Sequence, residues 1–278
     1  MAELKKLKYE TKPKILDFAK YIPENKLINV GEKMGLCNYN ISKFIKDFDI
    51  DIKQTPKCIK SLNIDDCAQN FKTLNDFFTR DIINKYPITK YNLLSPAESY
   101  IIIFNKIKKA QKFWIKGTHF SIKNLLSFEP LNGIDYSIII NRLAPKHYHN
   151  FYAPTNGKVL NVKDIDGLHL SVNAEIIKKG GNALTKNARK VVTIDTTKFG
   201  IIYYIIIGAT CVYDIDLKIK PGDKIKKGQN IGLFNYGGST IVMLISNISQ
   251  IKFNKFILEN SATGFETEIP VRYPIGDI

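Results

Sequence analysis

The chain has 278 residues, 44% hydrophobic and 11% aromatic, enough for a substantial core and too apolar for global disorder. Lys and Arg total 41 against 26 Asp and Glu, a net charge of +15 that asks for an anionic membrane surface, nucleic acid or an acidic protein as partner. Finger spacings, RNP-type aromatics and a basic helix are missing, so nucleic acid is set aside, and the dispersed lysines read equally well as a solvated surface.

Residues 1–85 read as a polar, helical N-terminal segment, and their basic start has neither a secretory nor a transit-peptide pattern. "NISKFIKDFDI" (40–50) places Ile41, Phe44, Ile45 and Phe48 at helical spacing. "LNDFFTRDI" (74–82) follows Thr73, a suitable N-cap, and groups Leu74, Phe77 and Phe78 on one face. Cys37, Cys58, Cys67 and Cys211 match no zinc or redox spacing, so the expectation is free thiols in a reducing compartment and no metal.

From residue 86 the character changes. "SYIIIFNKI", "DYSIIINRL", "GKVLNVKDI", "RKVVTIDT", "GIIYYIIIGATCV", "STIVMLI" and "FETEIPVRY" are short β-rich runs separated by Gly, Pro, Asn and Asp. A single helix, "SIKNLLS" (121–127) opened by Ser121, interrupts them. The expected fold is α+β: helical segment 1–85 packed on a large, mostly antiparallel β-sandwich or barrel core, 86–278. The longest apolar run, "IIYYIIIGA" from Ile201, falls far short of the roughly 20 residues that span a bilayer. Any membrane contact is therefore expected to be peripheral, with an intracellular location.

"IKPGDKIKKGQNIGLF" (219–234) is a pair of glycine-turned basic segments in the manner of small β-sandwich modules, and it leads into "FNYGGSTIVMLI" (234–245). There Gly237, Gly238 and Ser239 break an apolar strand, where glycine weakens packing and costs backbone entropy. Taken alone, the break reads as a bulge or a strand-entry turn.

Three segments taken together, "LNDFFTR" (74–80), "RLAPKHYHNFYAPTNG" (142–157) and "FNYGGST" (234–240), resemble phosphatidylserine decarboxylase proenzymes in order and spacing. "KGTHFSIKNLL" (116–126), "LSVN" (170–173) and "FGIIYYIIIGATCV" (199–212) extend the resemblance over nearly the whole chain beyond residue 40. It implies that the bond between Gly238 and Ser239 is cut by the protein itself. The serine hydroxyl attacks the preceding carbonyl, and elimination leaves a covalent pyruvoyl group at position 239 on the smaller of two fragments, α and β. Gly238 suits that step because a residue without Cβ admits strained geometry and close approach. The ketone would form a Schiff base with the amine of phosphatidylserine and draw electrons as carbon dioxide leaves. By the same resemblance His149, the first histidine of the family's Tyr-His-x-x-His segment after Tyr148, is the acid that protonates the resulting carbon. Tyr148, His147 and Lys116 are the substrate-side candidates, and His147 has a purely structural reading as well.

Two positions depart from the family pattern. The Asp of its Pro-Ala-Asp-Gly segment, which with a second His activates the serine, stands as Glu98 in "SPAES", with Ser99 in place of Gly. That second His stands as Tyr152, a phenol largely protonated at neutral pH. Either cleavage proceeds slowly, or through another base such as His147, or the chain is an unprocessed pseudoenzyme that binds phospholipid without catalysis. A soluble amino-acid decarboxylase of the same family is the further alternative. The positive charge favours an anionic membrane carrying phosphatidylserine, with "FWIKGTHF" (113–120) either at the interface or in the core. Processed enzymes of this kind commonly pair, so a homodimer is the expected assembly.

Overall fold

Runs of Ile, Val and Tyr bounded by Gly, Pro and Asn become strands because branched and aromatic side chains fit a pleated, packed surface. The computed structural model describes residues 5–7, 40–83, 85–108, 110, 121–172, 182–209, 215–237, 239–246 and 251–278. Its strands begin with β1 Lys5–Leu7, β2 Leu93–Leu94, β3 Ser99–Phe104, β4 Ser137–Leu143 and β5 Asn150–Tyr152. Next come β6 Gly157–Ile165, β7 Arg189–Thr196, β8 Gly200–Gly208, β9 Ile215–Leu217 and β10 Lys224–Ile225. The last are β11 Asn230–Phe234, β12 Ser239–Ile245, β13 Lys252–Phe253, β14 Glu266–Ile269 and β15 Pro274–Asp277. The helices are α1 Ile41–Asp47, α2 Ile64–Ala68, α3 Leu74–Phe78, α4 Ile122–Leu126, α5 Ala183–Lys186 and α6 Lys255–Ala262.

A nine-stranded antiparallel sheet runs β1-β14-β3-β4-β12-β8-β7-β6-β10, beside two three-stranded sheets, β5-β11-β9 and β13-β15-β2. The fold is α+β with a sandwich core, and the described strands do not close into a barrel. Strand β12 lies at the centre, paired with β4 on one side and β8 on the other. Its Ile241, Met243 and Ile245 enter the core shared with the smaller sheets through Phe151, Phe234 and Ile275. Val242 and Leu244 enter the opposite core, with Leu125 and Leu126 of α4 and Leu184 of α5. Both faces are covered, which is why the strand reads as an unbroken apolar run rather than an alternating one.

The helical segment keeps its expected apolar stripes in shorter helices. Phe44 and Ile45 of α1 and Phe77 and Phe78 of α3 are buried together. Thr73 caps α3 reciprocally: Asp76 N–H donates to Thr73 Oγ1 at 3.1 Å, and Thr73 N–H donates to Asp76 Oδ2 at 3.0 Å. Ser121 caps α4 in the same sense, accepting from Asn124 N–H at 3.0 Å. Three expectations need correction. The segment 1–85 is not helical throughout, because Lys5–Leu7 pair with Glu266–Glu268 at the sheet edge. The β region holds more than one helix: α5 and α6 join α4, and α6 docks on β3 where Ile103 N–H donates to Ser261 Oγ at 2.9 Å. Nor are all the cysteines free thiols.

The sulfurs of Cys58 and Cys67 are bonded to each other, and both residues are fully buried beside Phe44, Phe71 and Phe77. No spacing rule finds this pair, since the turn before α2 and the end of that helix meet only once the segment packs. Cys37 and Cys211 lie outside the described residues. Closing so short a loop stabilises by about 2–4 kcal/mol. Cys58→Ala with Cys67→Ala should therefore lower the urea midpoint of the oxidised protein by that equivalent, followed by circular dichroism, and an unmoved midpoint would contradict the bond's role.

Candidate active site

Ser239 opens β12 opposite Leu143 of β4 and Gly208 of β8, so its backbone is held from both sides. Residue alternation turns its side chain to the same face as Ile241, toward the small sheet β5-β11-β9. Gly237, two residues earlier, has φ of 144°, a conformation that L side chains rarely adopt. Gly238 lies outside the described residues, as does Lys116.

His149 sits immediately before β5, tied to β11 by Phe234 N–H donating to its carbonyl at 3.0 Å. Its Nδ1 lies 2.9 Å from Ser239 Oγ, and both residues are wholly buried. The other ring nitrogen, Nε2, lies 3.0 Å from the carbonyl oxygen of Ala144, which only accepts. Nε2 therefore carries the hydrogen, Nδ1 has the free lone pair, and Ser239 Oγ–H donates to it. Phe78 of α3 stacks on the imidazole with centroids 3.8 Å apart and planes 32° off parallel, and Phe234 stands edge-on at 6.4 Å. Burial drives the His149 pKa well below 6.5; the Ala144 hydrogen bond opposes this, and the charges of His147 and Arg80 add to it. The ring is neutral at neutral pH and able to take a proton from the serine.

The turn at Ala144 fixes both histidines. Ala144 N–H donates to His147 Nδ1 at 2.9 Å, leaving His147 Nε2–H to face Glu268 Oε1 at 3.2 Å. Burial works against the Glu268 charge, but hydrogen bonds from His147 and Lys146 hold its carboxyl down to about 2. Both ring nitrogens of His147 are thus engaged away from Ser239, and the residue is buried.

Glu98 Oε2 accepts from the Tyr148 N–H at 2.9 Å, so its carboxylate anchors the peptide just before His149. The extra methylene relative to Asp reaches backbone here. Tyr148 is buried, and its hydroxyl donates to Asp81 Oδ1 at 2.9 Å and lies 3.0 Å from Tyr152 Oη. Burial, with Tyr152 and Asp81 beside it, pushes the Tyr148 phenol far above its usual range. Among the described residues neither Glu98 nor Tyr152 hydrogen-bonds Ser239 or the His149 ring. The structure thus joins Ser239 to His149 and puts Glu98, Tyr148 and Tyr152 in the shell behind it.

Within "LNDFFTR" the sequence shows an apolar helix face but no site role for Phe78 or Arg80. Phe78 covers the imidazole. Arg80 is buried, with Nη1 donating to Phe77 O and Nη2 to Lys146 O, both at 3.2 Å, while Nε has no hydrogen-bond partner among the described residues. Burial lowers its pKa to about 10, against the opposing charge of Glu98. The apolar pair followed by a buried cation was the signal available, though the sequence alone does not say what it packs against.

A family model described as phosphatidylserine decarboxylase matches residues 74–263. A phosphatidylserine decarboxylase proenzyme of Fusobacterium nucleatum is 31% identical over 246 residues, 86% of this chain and 79% of the relative. One from Clostridium botulinum (strain Kyoto) is 32% identical over 249 residues, 87% and 80% of the two chains. Phosphatidylserine decarboxylase proenzyme 2 of Saccharomyces cerevisiae is 35% identical over 243 residues, 83% of this chain but 21% of the relative. The chain spans about a fifth to a quarter of the fungal relatives' length and about four-fifths of the bacterial ones'.

The depressed His149 pKa has a consequence for stability. The folded state favours the neutral ring, so its contribution is complete above about pH 6.5 and is lost as pH falls from there toward the folded-state value. Below pH 6.5 the wild-type unfolding free energy should fall by up to about 1.4 kcal/mol per pH unit from this group. His149→Gln should lack that component in urea titrations, and identical slopes would mean the ring is not held neutral.

Proposed function

Because the chain belongs to the phosphatidylserine decarboxylase family, we propose that it converts phosphatidylserine to phosphatidylethanolamine and carbon dioxide, using a pyruvoyl group made from its own Ser239. The observation that carries this reading is the 2.9 Å contact between Ser239 Oγ and the unprotonated Nδ1 of a buried, neutral His149. His149 Nδ1 takes the hydroxyl proton as Oγ attacks the Gly238 carbonyl carbon. The Gly238–Ser239 C–N bond breaks as the ester forms, and His149 passes that proton to the leaving nitrogen, which becomes a free amine. Loss of the Ser239 Cα proton and cleavage of Cβ–Oγ then release the Gly238 carboxylate. Water replaces the nitrogen, leaving as ammonia, to give the α-keto group at position 239.

The residues present suit such a group: a β-hydroxyl on a rigid strand start, Gly237 with φ of 144° two residues before it, and a dry wall of Phe78 and Phe234. A pyruvoyl ketone supplies an electrophile for the substrate amine and an electron sink while carbon dioxide leaves. His149 Nδ1 lies beside position 239, where the imidazole, once it has taken up a proton at that nitrogen, can pass it to the carbon that must be protonated after decarboxylation. One imidazole then serves both proton transfers, which accounts for a chain with Tyr at the second histidine position. Glu98 and Tyr148 steady its backbone.

The net charge of +15 supports a substrate in an anionic membrane, reached from outside, since each basic residue near such a surface contributes roughly 1 kcal/mol. Among the described residues no helix is long and apolar enough to cross a membrane. Two fragments that stay together are the expected product.

Intact-mass measurement under denaturing conditions tests the reading. Wild type should give two species, one ending at Gly238 and one beginning with a pyruvoyl residue, while Ser239→Ala stays whole. His149→Ala should slow cleavage at least a hundredfold. Tyr152→Phe, which removes a hydroxyl from Tyr148 only, should slow it less than about tenfold. Abolished cleavage in Tyr152→Phe would return the base to that position, and an uncut wild type would leave a lipid-binding protein without this chemistry.

A further inference from the structure

Helix α3 touches both halves of the cleavage apparatus. Its Phe78 stacks on the imidazole of His149. One turn earlier, Asn75 Oδ1 accepts from the backbone N–H of Tyr236 at 2.8 Å, and Asn75 Nδ2 donates to Asn235 Oδ1 at 3.0 Å. The two bonds use opposite ends of one carboxamide, which fixes its orientation. They grip the chain at the residue before Gly237 and Gly238. The Tyr236 ring packs edge-on against Phe78 at 5.1 Å and Phe44 at 5.8 Å, so the grip is backed by the helical segment's core. Helix α3 itself is pinned at its start by the Thr73–Asp76 box and at its end by Thr79 Oγ1 donating to Asn75 O at 2.8 Å.

We infer that Asn75 is a positioning residue for self-cleavage, clamping the turn that presents the Gly238 carbonyl to Ser239 from the same helix that sets His149. The inference rests on the processing reading above. A Gly-Gly pair has wide backbone freedom, and nothing in its own side chains restricts it. The strand pairing of β11 ends at Phe234 and that of β12 begins at Ser239, so a restraint on the turn between them has to act outside the strand ladders. Asn75 supplies it at Tyr236. A misplacement of about 1 Å at a reacting centre costs on the order of a hundredfold in rate. In the folded protein the clamp, the base and the nucleophile are therefore assembled together, and the helical segment must dock before the bond can be cut.

The test is a cell-free synthesis pulse followed by a chase, with the uncut fraction read by intact mass across pH. Asn75→Ala should cleave 10- to 100-fold more slowly than wild type, with the pH midpoint of the rate unchanged, because His149 keeps its cover. A general loosening would instead admit water to His149 and raise the midpoint together with the loss of rate, which would overturn the inference. Asn75→Asp keeps an acceptor for Tyr236 N–H and a second for a turned Asn235 amide, and should recover most of the rate. Failure of that rescue, or wild-type cleavage by Asn75→Ala, would also overturn it. Should Asn75→Ala not fold, Asn235→Ala removes the amide–amide bond while leaving Asn75 its Tyr236 partner, and must still slow cleavage several-fold; a wild-type rate there counts against the clamp. A wild-type chain that never cleaves overturns the processing reading and this one with it, whereas normal wild-type cleavage with an indifferent Asn75 overturns only this one.

Discussion

The hydrogen bond from Ser239 Oγ to His149 Nδ1 exists only while the imidazole is neutral and in one tautomer. Each neighbouring feature enforces one of those conditions. The Ala144 carbonyl claims Nε2–H and so leaves Nδ1 as acceptor. Burial beneath Phe78 and beside Phe234 makes the charged ring unfavourable. The ring's position is set in turn through its backbone, by Glu98 at the Tyr148 N–H and by β11 at the His149 carbonyl. A dry site raises the cost of any unpaired polar group, so a shell this well satisfied is also a rigid one.

The two altered positions make sense within that shell. A histidine at 152 would carry a base, but tyrosine brings a hydroxyl that joins the buried Tyr148, whose own hydroxyl donates to the exposed Asp81. A glutamate at 98 extends far enough to hold backbone. Both side chains act on where His149 sits. At the two positions that depart from the family pattern, both side chains thus have hydrogen-bond partners.

Much of the fold was legible because it depends on local rules. Thr73 and Ser121 cap the helices they were expected to open, and the Ile- and Val-rich runs are strands because few other conformations suit them. The four-residue α5 was too short to show a period. Helix α6 was hidden by a mixed sequence in which Ile257 and Ser261 face the core through a single stripe. The edge strand Lys5–Leu7 depends on β14, some 260 residues away in sequence, and no local pattern reports such a partner. The Cys58–Cys67 bond is the same case at shorter range.

For the site, the sequence by itself determined the chemistry on offer: a serine after two glycines, a histidine beside a tyrosine, and a family in which those residues have work to do. Residue types and their order carry that information because reactivity belongs to the side chain. Which nitrogen faces the serine, which histidine is occupied elsewhere and which helix touches the turn before Gly237 were decided only by tertiary structure. Those are distances between residues 90 to 161 positions apart, closed by the packing of α3 and β5 against β12. A hydrogen bond depends on a few tenths of an ångström and on direction, and sequence spacing specifies neither at that range.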